Sequence, residues 1–253
     1  MNRARVIPIL LLENTGLYKT VKFGHPRYVG DPLNAVKIFN EKQCDELILL
    51  DISASKKRKK PSYSLISEIA SECFMPLAYG GGIETMADIE MILKSGVEKV
   101  VLNTSLIANP RFLKEATKAF ASSTIVASID IKKNLFGKPM VYSHAGLKPQ
   151  LTDPLEFSKL IEDNGAGEIM INSVDRDGMM TGYDMELIQK ISDSISIPLI
   201  AAGGCRNLDD ITTILHQTNA SAAAAGSFFV FHGKHRAVLI SYPSPEEIDF
   251  IKK

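Results

Sequence analysis

The chain of 253 residues has no tryptophan, only three cysteines and an aromatic fraction of 7%, and its 29 basic side chains are matched by 29 acidic ones. These shortages exclude several classes of protein. Cys44, Cys73 and Cys205 are odd in number and in no metal-ligand spacing. They argue against a disulfide framework or a zinc site, and for buried thiols in a reducing cytoplasm. A balanced charge supplies no general field toward nucleic acid or an anionic membrane. No apolar run approaches the length that spans a bilayer, and Met1-Asn-Arg-Ala-Arg5 carries no apolar leader. Nothing in the sequence calls for a metal or an organic cofactor.

Apolar residues are plentiful, at 45%, enough for a substantial core. They also recur in register. Pro76-Leu-Ala-Tyr-Gly-Gly-Gly-Ile83 returns 122 residues later as Pro198-Leu-Ile-Ala-Ala-Gly-Gly-Cys205. Glu46 and Glu168, each opening an apolar run, and Ser105 and Ser227, each closing one, share that offset. The offset marks an internal repeat. Each copy joins an apolar run to glycines and then to an amphipathic segment, Thr85–Ser95 or Asn207–Gln217. A buried strand, a glycine turn and a helix start make a phosphate-holding arrangement, because backbone N–H groups and the positive dipole end face the ligand. Two copies predict a ligand with two phosphates.

From the first residues onward the pattern alternates. Arg5–Leu12 reads as a buried strand, with a local irregularity expected at Pro8. A polar stretch with Gly16, Lys19 and Lys22 follows, and then a helix capped by Asp31, with Pro32 first, that runs to about Gln43. Further strands are expected at 46–51, 76–79, 98–103, 124–130, 167–172, 197–201 and 221–226. Helices are expected at 62–73, 85–95, 110–119, 153–163, 184–193 and 207–217. Eight strands separated by helices predict a single (β/α)8 TIM barrel over 1–253, an α/β fold built as a twofold half-barrel repeat. A doubly wound open sheet is the competing arrangement. The insertion Ile131–Gln150 is expected to hold a small hairpin at Met140–Ser143.

In such a barrel the active site lies at the C-terminal strand ends. Gly81, Gly82, Asn103 and Thr104 would form one phosphate clamp, and Gly203, Gly204, Gly226 and Ser227 the other. Asp175-Arg-Asp177-Gly178, after the sixth strand, is either turn chemistry or, through Asp177 and Gly178, part of the phosphate site. Asp130 is a candidate general base, since burial raises a carboxylate's pKa; the alternative is a carboxylate that caps a loop. At the opposite end Arg5, Glu46, Lys99 and Glu168 open strands one, two, four and six. They are either ordinary surface charge or a paired, hydrogen-bonded gate.

Several segments together resemble the cyclase subunit family of imidazole glycerol phosphate synthase. They are Gly30-Asp-Pro32, Asp45–Ser55, Gly80–Ile83, Lys99–Thr104, Asp130, Gly165–Glu168 and Asp175–Gly178. A sibling phosphoribosyl isomerase shares the barrel and clamps, but Asp45–Ser55 and Gly165–Gly178 are similar to the cyclase side. The resemblance implies a glutaminase subunit docked on the N-terminal barrel face. Its ammonia would cross a gate at Arg5, Glu46, Lys99 and Glu168 and reach a bis-phosphate substrate. It also implies that aspartates after strands one and five share acid and base duties.

This chain departs from that family pattern in three places. Leu11 stands where the family has its first-strand aspartate, and Glu13, two residues on and on the same side of an extended strand, is the candidate substitute. Ala145 stands where the family has a serine. Beyond Phe231 the usual long last helix is replaced by His235–Pro243. That ending resembles paralogues in bacterial surface-polysaccharide clusters, which implies ammonia delivery for sugar amidination. The alternative is the histidine-pathway lyase that makes imidazole glycerol phosphate and AICAR.

Overall fold

In the computed structural model, which describes residues 4–143, 148–149 and 152–251, eight parallel strands close into a ring. They are β1 (Arg5–Glu13), β2 (Leu47–Asp51), β3 (Leu77–Gly80), β4 (Lys99–Leu102), β5 (Ile125–Lys133), β6 (Glu168–Ser173), β7 (Leu199–Ala202) and β8 (Ala222–Ala225). β1 pairs with β2 on one side and β8 on the other, and β5 pairs with β6, so the barrel has no open edge. That closure excludes the doubly wound alternative. The helices outside are α1 (Pro32–Glu41), α2 (Tyr63–Glu72), α3 (Met86–Lys94), α4 (Pro110–Phe120), α5 (Pro154–Asp163), α6 (Met185–Ser192), α7 (Leu208–Gln217) and α8 (Pro245–Ile251). Strand ends fall within two residues of their expected places, except in β5, which runs on to Lys133.

Local chemistry explains why the helices start where they do. Asp31 accepts from Asn34 N at 3.0 Å with Pro32 at the first helical position. Thr85 and Asp88 form a reciprocal capping box on α3, worth about 1 kcal/mol. The sequence repeat reaches these bonds. Asp88 Oδ2 accepts from Glu84 N at 3.2 Å, and Asp210 Oδ2, at the equivalent place on α7, accepts from Arg206 N at 2.8 Å. Helix faces bury residues such as Phe39, Ile69, Ile92 and Ile214 against the sheet, each stabilising by about 1.5–3 kcal/mol.

No bulge occurs at Pro8, contrary to the irregularity expected there. β1 keeps unbroken register with β8 through Pro8↔Ala225 and with β2 from Ile9↔Ile48. In that register the missing Pro8 N–H would face the Glu46 carbonyl, which instead accepts the Cys44 thiol at 3.7 Å. Cys44 and Cys205 are buried, as expected; Cys73 is only half-buried.

Three additions sit on the frame. The polar stretch after β1 is an antiparallel hairpin, Gly16–Val21 with Gly24–Gly30, and it pairs with β1 through Leu11↔Tyr18. The hairpin expected at Met140–Ser143 is present as Pro139–Ser143 against the end of β5, while Ala145 lies outside the described residues. Past β8 comes a short hairpin, Phe231–His232 with Ala237–Val238, and then α8. The tail returns to the first strand: Tyr242 Oη donates to Val6 O at 2.8 Å, with its ring between Phe39 and Phe229. Among the described residues no helix is long and apolar enough to cross a membrane.

Candidate functional site

Glycine-bearing loops at the C-terminal ends of the strands surround a cavity of about 310 Å3. The structure brings every upper-face candidate to it: Gly81, Gly82, Asn103, Thr104, Asp130, Asp177, Gly178, Gly203, Gly204, Gly226, Ser227 and Glu13. Gly203 has φ +85°, and a Cβ there would lie 2.7 Å from Asn172 Oδ1, so glycine is required for the approach. The Gly82 N–H already donates to Ser55 Oγ at 3.2 Å. Ser105 Oγ is buried without a hydrogen-bond partner among the described residues. Its counterpart in the repeat is Ser227, and both line the cavity. An orphaned hydroxyl at a predicted phosphate clamp fits an anionic ligand, since an unpartnered buried polar atom is costly.

Asp130 stands at the centre. Asn103 Nδ2 donates to its Oδ2 at 3.1 Å and Asn172 Nδ2 to its Oδ1 at 3.1 Å. Burial pushes its pKa up to about 7; the nearby Asp177 charge adds to that rise, and the two amides oppose it. A carboxylate poised near neutrality both gives and takes a proton readily. The Asn103 side chain also donates to Ser128 O at 2.9 Å. Its amide therefore orients Asp130 and has no hydrogen left for a phosphate.

The sequence reading missed Lys19. It is 5% exposed, its Nζ donates to Ile9 O at 2.7 Å, and its side chain lines the cavity. Burial lowers its pKa to about 8, with the Asp177 charge opposing. Asp177 itself accepts from Thr20 Oγ1 at 3.3 Å, and its backbone carbonyl accepts from Lys22 N at 2.9 Å. Its carboxylate supplies no donor to a phosphate; it pins the hairpin that carries Lys19. Asn172 and Ser105 were also missed as site residues. Both sit just past an apolar run, where polar residues read as strand ends.

Leu11 faces the same cavity, paired in register with Leu50 and Tyr18, and has no proton to transfer. Glu13 reaches the cavity rim, where Lys57 Nζ holds its Oε1 at 3.0 Å. Among the described residues no cluster of histidine, cysteine or carboxylate side chains is placed to hold a metal.

The four strand-start charges meet at the opposite end. Arg5 pairs with Glu46 at 2.5 Å and with Glu168, and Lys99 pairs with Glu46 at 3.0 Å and Glu168 at 3.1 Å. Each cation touches both anions, which closes a ring. Glu46 and Glu168 are buried. Burial works against the charge on Arg5, yet Glu168 and Glu46 outweigh it and hold the Arg5 pKa above its ordinary value. Above the ring the barrel interior is apolar and includes Ile7, Ile48 and Met170. It is narrowed by nothing larger than a methyl group at Ala78, Ala202, Ala222 and Ala224.

The family model described as "Histidine biosynthesis protein" matches residues 5–236. The chain is 49% identical over 249 residues to a Pseudomonas aeruginosa protein named "Putative imidazole glycerol phosphate synthase subunit hisF2", covering 98% of this chain and 99% of that one. It is 50% identical over 248 residues to the Vibrio vulnificus protein of the same designation numbered hisF3, covering 98% and 95%. Leptospira interrogans has a likewise designated HisF subunit, 44% identical over 248 residues and covering 98% of both chains.

Proposed function

Because the chain belongs to the histidine biosynthesis protein family, we propose that it is a synthase subunit resembling the cyclase of imidazole glycerol phosphate synthase. It uses ammonia made by a separate glutaminase, which docks over the Arg5, Glu46, Lys99 and Glu168 ring. The observation that carries this reading is the coaxial arrangement of that ring and the upper cavity, joined by an interior lined in part by alanines. A closed set of ion pairs resists a passing ion, because each pair must break and leave a buried charge uncompensated. Neutral ammonia carries no such cost.

At the upper end the two clamps hold a ligand with two phosphates, with Ser105 and Ser227 in equivalent places and Lys19 between the hairpin and β8. Asp130 transfers protons. Leu11 leaves it without the second carboxylate that the cyclase family uses, and this favours a divergent paralogue that delivers ammonia for sugar amidination. The second reading, the histidine-pathway lyase, rests on Glu13, the only other carboxylate within reach on β1.

Co-purification with a co-expressed glutaminase subunit, followed by turnover assays with glutamine and with ammonia, tests the proposal. No complex at micromolar concentrations, with both nitrogen sources ineffective, would refute it. Normal cyclase turnover with the histidine-pathway substrate would instead select the second reading.

A further inference from the structure

Beside the upper cavity lies a smaller cleft of about 140 Å3, built where the loop after β1 meets the loop after β8. These loops are neighbours because β1 and β8 pair at the barrel seam. Lys19, Thr20, Gly178 and Ser227 line both spaces, so the cleft opens directly off the second clamp. Its walls are His25 and Arg27 from the hairpin, and Phe231 and Arg236 from the short hairpin past β8. The Arg27 guanidinium lies 5.4 Å from the Phe231 ring centroid, which holds the fork in place without neutralising it. Arg236 sits in the left-handed region, φ 48°, where glycine is easier. Among the described residues neither arginine is within ion-pair distance of a carboxylate. No acidic residue lines the cleft among the described residues, and the Asp177 charge already acts on Lys19. In a chain of zero net charge, two arginines without a carboxylate partner among the described residues, Arg27 exposed and Arg236 half-buried, line one open cleft and constitute a local anion site.

We propose that this cleft is a second anionic subsite, and that the ligand clamped at Ser227 carries two adjacent phosphoryl groups, as a diphosphate ester does. The first group occupies the clamp, and the second lies between Arg27 and Arg236. Guanidinium forks suit the task because they bind phosphoryl oxygens in pairs. The subsite rests on the reading of Gly203, Gly204, Gly226 and Ser227 as a phosphate clamp, and it extends the ligand in a direction that a simple monophosphate ester does not use.

Inorganic phosphate and pyrophosphate, titrated calorimetrically into the full-length protein at fixed ionic strength, separate the cases. The wild type is expected to bind pyrophosphate about 10-fold more tightly than phosphate, the scale of an added charge-assisted pair. Arg27→Gln and Arg236→Gln should each erode that preference, and together abolish it, while phosphate affinity stays within about 2-fold. Lys234→Gln, an exposed charge on the same hairpin outside the cleft, should leave the preference intact. Equal affinities in the wild type, a preference that survives in the double variant, or an equal loss in Lys234→Gln would overturn the subsite. Failure of both anions to bind would overturn the clamp, and the cleft with it.

Discussion

The ammonium of Lys19 occupies the space that a side chain on Gly226 would need. It donates to Ile9 O at 2.7 Å and lies against the point where a Gly226 Cβ would be built. Gly226→Ala is therefore expected to displace the end of a flexible side chain and not the backbone. The variant should fold with a melting temperature within about 4 °C of wild type, yet bind phosphate about 10-fold more weakly. Thermal melts and phosphate titration of one preparation check both parts, and unchanged affinity would remove Lys19 from the clamp.

Lys19 also predicts how stability depends on pH. Its folded pKa, about 8, lies below the ordinary lysine value, so the unfolded chain holds that proton more tightly. The buried cation costs stability below about pH 8, and the cost is relieved as pH rises toward 10.5. Lys19→Met should lose that rise, leaving a difference profile of about 2–3 kcal/mol between pH 7.5 and 10. Urea unfolding at both pH values measures it, and parallel profiles for the two proteins would rule it out.

Asp130 behaves in the opposite sense. Its folded pKa is raised to about 7, so the folded state holds the proton more tightly than the unfolded one. This contribution is complete below about pH 4 and is lost as pH climbs to 7. Asn172→Ala removes a donor that favours the charged form and should move the carboxyl titration above 7. Carbon-13 chemical shifts of the aspartate carboxyls would show this, and a downward move would refute the assigned role of Asn172.

At the lower end, Lys99→Met leaves Glu46 and Glu168 with Arg5 alone. Removing one partner of a buried pair costs about 3–5 kcal/mol. Because Lys99 is 22% exposed in its side chain, a loss of about 2–3 kcal/mol is expected. Glutamine-supported turnover should fall more than ammonia-supported turnover. Equal falls would make the ring a structural feature only.

With the histidine-pathway substrate and ammonia, turnover is expected to be about 10²–10⁴ below that of a cyclase with both carboxylates, because Leu11 transfers no proton. Leu11→Asp should recover part of it. If the wild type already turns over normally, Glu13→Gln should abolish the activity and so identify Glu13, freed from Lys57, as the substitute.

The barrel was legible in the sequence because its strands are continuous apolar runs and its repeat keeps one register down to the caps at Thr85 and Asn207. The hairpin after β1 was not. Its strands mix Tyr18, Lys19, His25 and Arg27, so neither a period of two nor an apolar run marks them. Its second bend places Lys22, Phe23 and His25 at positive φ, with Gly24 alone among them to signal a turn. Lys19 was missed for the same reason: a lysine between polar neighbours reads as solvated surface, and only the fold of the hairpin over Gly226 buries it. Asp130 and the four charges of the lower ring were legible from position, since each stands at the end or start of a buried run. Their partners across the barrel depended on the closure.

The hydrogen bond from Tyr242 to Val6 links residues 236 apart, and this bears on how the protein is made. β1 can be sealed only by segments translated well after it, β8 and a tyrosine 236 residues beyond Val6. At about 5–20 residues per second, β1 waits about 12–50 s with its apolar flank open. Exposed apolar surface of that kind is what chaperones cover, and a chain cut before Tyr242 has a seam without this latch.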